Sequence, residues 1–175
     1  MDALSGRTRA CRRLVLVLLP ALLLAPVTPG PLAAGAHAPD EVRAAMVYRL
    51  LHFVTWPEGR LGDAIEVCLD SSVAHPSPYL RLDARRVAGR VVHARGCEGD
   101  ACRPCNVRLT ERPVPDAPAG QLVVALREVP QAMLSLIETG GRIELRGNPS
   151  AWRRAGLSIS ARLMRVMRLD GGGRP

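Results

Sequence analysis

Apolar and polar positions change period several times along the chain. Leu14 to Val27 is apolar apart from Pro20 and follows a basic segment with Arg7, Arg9, Arg12 and Arg13 against Asp2. From Asp40 to Val54, the residues Val42, Ala45, Met46, Leu50, Phe53 and Val54 recur at helical spacing, and Pro57 follows Trp56. This predicts an amphipathic helix with an aromatic C-terminal end. Ile65 to Leu69 has strand character and runs into Asp70-Ser71-Ser72, a turn that opens a short helix through Tyr79 to Ala84. Val87 to Ala94 predicts a second strand, with Gly89 as a bulge, and Asn106 to Leu109 a third. Leu122 to Leu126 is continuously apolar, as in a central strand covered on both faces. Met133 to Glu138 and Arg142 to Arg146 flank Thr139-Gly140-Gly141, a hairpin signal. After Asn148-Pro149-Ser150 a short helix stops at Gly156, and Leu157 to Met167 predicts a last helix from Ile159, Leu163, Val166 and Met167. The expected class is α/β, one domain with a mixed, mostly parallel sheet flanked by helices in about three layers and a C-terminal β-hairpin.

The amino-terminal run is about fourteen residues, short of the roughly 18 to 20 that cross a bilayer as a helix. Pro26, Pro29, Gly30 and Pro31 break it, and small residues meet at Ala34-Gly35-Ala36. Residues 1–36 therefore read as a signal peptide cut after Ala36, with residues 37–175 as the exported domain. Cys11 precedes the apolar run, so a lipoprotein anchor is unsupported. Removing four Arg and one Asp leaves 20 basic against 15 acidic residues, near +5. All the basic residues are arginine, and the five aromatic residues are too few for the stacking platforms of a single-strand nucleic-acid binder. No nucleic-acid partner is expected.

Export changes the reading of the cysteines. His93, Cys97, Cys102 and Cys105 have the look of four zinc ligands, but an oxidising compartment does not keep thiolates reduced. Cys102-Arg103-Pro104-Cys105 has redox-motif spacing, yet a strand follows it where a thiol oxidoreductase needs a helix. Asn106 stands where haem attachment would need histidine. Cys68, Cys97, Cys102 and Cys105 therefore read as two disulfides, with three connectivities open. Asp70, Ser71, Ser72 and His75 lack the glycines of a nucleophile elbow and read as a capped turn. His52 reads as a packed helical residue. Arg162, Arg165 and Arg168 fall three apart, gathering on one side of the predicted last helix. No cofactor or metal is expected.

The stretch Val42-Arg43-Ala44-Ala45-Met46-Val47-Tyr48-Arg49-Leu50-Leu51-His52-Phe53-Val54-Thr55-Trp56-Pro57 resembles the opening helix of the YfiR family of bacterial periplasmic proteins, of the form KAAFLYNFAKFVEWP. Ile65 to Leu69 resembles the family's cysteine-bearing first strand, and Cys105-Asn106-Val107-Arg108-Leu109 its C-H-V-L-F strand. Gly141 to Asn148 and Arg154 to Arg165 resemble its closing motifs. The resemblance implies a Cys68–Cys105 disulfide, which leaves Cys97 with Cys102, and a tendency to form homodimers. It also implies a non-enzymatic regulator that represses an inner-membrane diguanylate cyclase through its periplasmic sensor region and is relieved at an outer-membrane lipoprotein or by redox damage. Trp56, Arg162 and Arg165 are the expected partner contacts. Rival readings are a small-ligand or peptide-binding module and a thiol oxidoreductase. Asn106 replaces the usual histidine, Leu145 an aromatic residue, and Gly147 an apolar one whose loss is expected to loosen its strand end.

Overall fold

The computed structural model describes residues 38–170, so the signal-peptide reading of residues 1–36 lies outside the described residues. Helix α1 (Ala38–Leu51) leads into β1 (Val54–Thr55) and β2 (Ala64–Asp70). Then come α2 (Ser77–Leu80), β3 (Arg86–Val87), β4 (Arg90–Cys97), a 3-10 turn (Gly99–Cys102) and β5 (Val107–Thr110). The remainder is β6 (Leu122–Ala125), β7 (Leu134–Thr139), β8 (Arg142–Gly147), α3 (Pro149–Arg154), β9 (Ser158–Ile159), α4 (Ala161–Met164) and β10 (Arg168–Leu169).

Eight strands form one sheet in the order β10-β8-β7-β6-β5-β2-β4-β3, and β1 pairs with β9 in a second, two-stranded ladder. Strands β7, β6, β5, β2 and β4 run parallel to one another, and within this eight-stranded sheet the antiparallel pairs among the described residues are β7–β8 and β3–β4. The sheet is mixed and mostly parallel, as the apolar runs predict. All four residues of β6 are buried, which fits a strand in the middle of the order. Such strands lose water on both faces, so apolar residues stabilise them at every position.

Three predicted elements differ. The first helix ends at Leu51 rather than Val54, because Val54 pairs with Ile159 and Phe53 O accepts a hydrogen bond from Ser160 N (3.0 Å). Its buried stripe is Ala44, Val47, Leu50 and Leu51, while Val42 is 49 % exposed. The predicted second strand is a hairpin: Ala88 (φ 48°) and Gly89 (φ 83°) form the turn between β3 and β4, so Gly89 is a turn residue and not a bulge. The predicted last helix is replaced by β9, one turn of α4 and β10. Ile159 and Leu169 are drawn into ladders with β1 and β8, and those long-range hydrogen bonds override the local periodicity.

Gly147 does not loosen its strand. It pairs with Leu134 and Leu169, and a Cβ there would lie 2.6 Å from Met167 Sδ and 2.9 Å from a Trp152 ring carbon. Those two side chains occupy the space that an apolar residue would fill.

Candidate partner-docking groove

Helix α1 serves two surfaces. Ala44, Val47 and Leu51 enter the core, whereas Met46, Arg49 and the edge of the buried Leu50, with Phe53 just beyond the helix, form one wall of a groove of about 550 Å³. Residues Ile143, Glu144 and Leu145 of β8 face them, and Leu163, Val166 and Arg168 close the end. Val166 is 74 % exposed, a large apolar side chain that the core does not use. Charge surrounds this apolar floor. Glu144 Oε2 lies 3.5 Å from Arg168 Nη1 and 3.9 Å from Arg146 Nη2, while Arg49 has no acidic partner among the described residues. An apolar surface rimmed by charged groups is the usual form of a protein-docking site.

The groove wall is held in place at the start of α1. Asp40 accepts hydrogen bonds from Arg43 Nη1 (2.9 Å) and from the Tyr79 hydroxyl (3.3 Å), and Arg43 Nη2 also reaches Glu138 (3.2 Å). Arg81 pairs with Glu41. Burial, and then the Asp40 carboxylate, push the Tyr79 phenol far above its ordinary pKa, so it stays a neutral donor. These contacts fix the helix against α2 and β7.

The expected partner contacts separate in the structure. Trp56 is only 8 % exposed, and its Nε1 donates to Asn106 O at 3.5 Å. Arg162 and Arg165 are exposed, but only Arg162 lies in α4, Arg165 caps it, and Arg168 belongs to β10. They do not form one face of a long helix. His52 lies just beyond α1 and is exposed, its ring edge-on to Tyr48 at 5.3 Å, so it is not packed in the core.

Cysteine 68 is bonded to Cys105 (Cα–Cα 6.0 Å) and Cys97 to Cys102 (5.2 Å), the connectivity that the family resemblance implies. Paired in this way, none of the four sulfurs is a free thiolate. Cys68, Cys105 and Cys102 are fully buried, and Cys97 is half-buried. Asn106, which replaces a histidine, is buried and bridges two segments: Oδ1 accepts from Glu66 N (2.8 Å) and Nδ2 donates to Arg60 O (3.0 Å).

Asp70 caps the turn after β2, accepting from Ser72 N at 2.9 Å, and pairs with Arg108 through Nε (3.1 Å) and Nη2. Burial raises its pKa, but the hydrogen bonds from Arg108 and Ser72 together outweigh that and hold the carboxyl below its ordinary value. The carboxylate is an ion-pair partner of Arg108, and the Ser72 hydroxyl beside it is also engaged with Thr110 Oγ1 (3.2 Å) and accepts from Glu111 N.

A family model described as YfiR/HmsC-like matches residues 40–168, nearly all of the described chain, and the protein belongs to that family. No curated protein matches it. Membership supports, in general terms, a periplasmic and non-catalytic regulator of a membrane signalling protein of the diguanylate cyclase type. Among the described residues no helix is long and apolar enough to cross a membrane.

Proposed function

We propose that this protein docks on the periplasmic sensor region of an inner-membrane diguanylate cyclase and holds the enzyme inactive, lowering cyclic-di-GMP and biofilm formation. The observation that carries the reading is the groove between α1, β8 and the C-terminal segment, with Val166 exposed on it and Arg49 at its rim without an acidic partner among the described residues. A partner face with an apolar centre and acidic edges complements it, with Arg49 and Arg168 lining the groove and the exposed Arg162 and Arg165 next to Leu163 and Val166 in sequence. Regulation then follows from a difference in affinity between the active and inactive sensor, because a ligand shifts an equilibrium only by such a difference. On this reading the chain is exported by a signal peptide cut after Ala36, acts as a homodimer, and is released when an outer-membrane lipoprotein sequesters it.

Overexpression of the wild-type chain is expected to lower cellular cyclic-di-GMP. Val166→Glu is expected to abolish the effect, since a buried unpaired charge at an interface centre weakens binding at least about tenfold. Its exposure in the free protein predicts unchanged folding. Unaltered cyclic-di-GMP with abundant, folded wild-type protein sinks the proposal, and full activity of Val166→Glu sinks the assignment of the groove.

A further inference from the structure

A second cavity, of about 430 Å³, lies away from the groove and shares no residue with it. The parallel connections β5–β6 and β6–β7 contain no helix, and their loops, 111–121 and 126–133, meet α3 around it. Its walls run from Arg112, just after β5, across to Ala119, Met133 and α3 beside the starts of β6 and β7, so the two crossover loops roof one cavity. The floor is apolar, made by Val123, Val129 and Met133.

Two arginines line it. Arg112 follows β5 with its backbone clamped, since its N donates to Thr110 Oγ1 and its carbonyl accepts from the same hydroxyl, both at 3.0 Å. Arg154 comes from the last turn of α3. Both are exposed, and neither guanidinium has an ion-pair partner among the described residues. Among the described residues, no aspartate or glutamate lines the cavity. The walls are stiff: Pro113, Pro115 and Pro130 have fixed φ, and Gln131 is held at φ 61°, a conformation non-glycine residues rarely adopt. Preformed walls reduce the ordering cost of binding.

We infer that this cavity binds a small amphipathic monocarboxylate with an apolar body and no amine. The guanidinium forks match a carboxylate, the floor accepts the body, and an ammonium group would find no side-chain carboxylate to pair with.

Protein purified from a periplasmic extract, titrated calorimetrically with 3-phenylpropionate, 3-phenylpropan-1-ol and L-phenylalanine, tests each part. Saturable binding of the carboxylate is expected, with the alcohol and the amino acid each at least about tenfold weaker, the effect of losing a charge-assisted hydrogen bond or stranding an ammonium. The double variant Arg112→Gln/Arg154→Gln is expected to keep its thermal midpoint and to bind the carboxylate no better than the alcohol. Ala117→Trp, which fills the cavity from its half-buried place in loop 111–121, is expected to exclude all three. Absence of saturable carboxylate binding overturns the inference. So does an alcohol or amino acid that binds equally well, or carboxylate binding that survives the double variant.

Discussion

The two disulfides fasten different kinds of structure. Cys68–Cys105 sits inside the parallel ladder: Cys68 is in β2 and Cys105 just before β5, and these strands already pair through Val67–Val107 and Leu69–Leu109. Both cysteines are fully buried. Cys97–Cys102 lies at the end of β4, next to the edge strand β3, where it closes a 3-10 turn with Cys97 half-buried. The first bridge spans 37 residues of sequence and the second five. In the chain-entropy account the long loop contributes about 4 kcal/mol and the short one about 2 kcal/mol. The central bond therefore reports on the integrity of the fold, and the peripheral one on a single turn.

The largest effect should come from the centre. Replacing Cys68 and Cys105 together by Ala is expected to lower the unfolding free energy in urea by about 4 kcal/mol or more, because cavity formation in a buried site adds to the lost cross-link. A loss below about 1 kcal/mol would contradict the ranking.

Sequence made the centre legible and the edges poorly so, for a physical reason. Strand β6 and the hairpin β7–β8 are announced by residues whose burial or turn conformation is set locally: Leu122 to Ala125 are apolar without interruption, and Gly140 and Gly141 take φ of 57° and 75°. The C-terminal segment is the opposite case. Ile159, Leu163, Val166 and Met167 have helical spacing, yet Val166 is exposed and Ile159 is claimed by β1. The groove was illegible for a related reason. Met46, Leu50 and Phe53 fit a core stripe as well as they fit a groove wall, and only the position of β8 decides between them. The charges of Arg162 and Arg165 mark them as surface residues, whereas an aromatic residue at a helix end such as Trp56 carries no mark of which side is buried.

The edge bond sharpens the comparison by its accessibility. Thiol–disulfide exchange requires a reagent to reach sulfur, and among the described residues Cys97 is the one cystine half that is not fully buried. Mild dithiothreitol on native protein is expected to expose two thiols, assigned by alkylation and mass spectrometry to Cys97 and Cys102. The Cys97→Ala/Cys102→Ala variant is expected to lose about 2 kcal/mol and to keep Cys68–Cys105 intact. Alkylation of Cys68 or Cys105 first would reverse the assignment of centre and edge.

Asp70 joins the two regions and gives the smallest effect. It ends β2, stands opposite Cys97 of β4 in register, and pairs with Arg108 of β5 on the other side. Its carboxyl is held below the ordinary value by Arg108 and Ser72 against the opposing effect of burial. A folded state that binds its proton less readily than the unfolded chain is stabilised wherever the group is ionised. The contribution is therefore complete above about pH 4 and is lost as pH falls through the lowered folded value. Asp70→Asn is expected to cost about 1 kcal/mol at neutral pH, since it removes a charge-assisted pair and keeps an acceptor for Ser72 N. Urea unfolding at pH 7 and at steps down to pH 2.5 should show a shallower acid limb than wild type, with the two curves converging at the acid end. An acid limb of unchanged slope would mean that Asp70 does not link the ladder to its edge, and that the two stapled regions meet only through the backbone hydrogen bonds of β2 and β4.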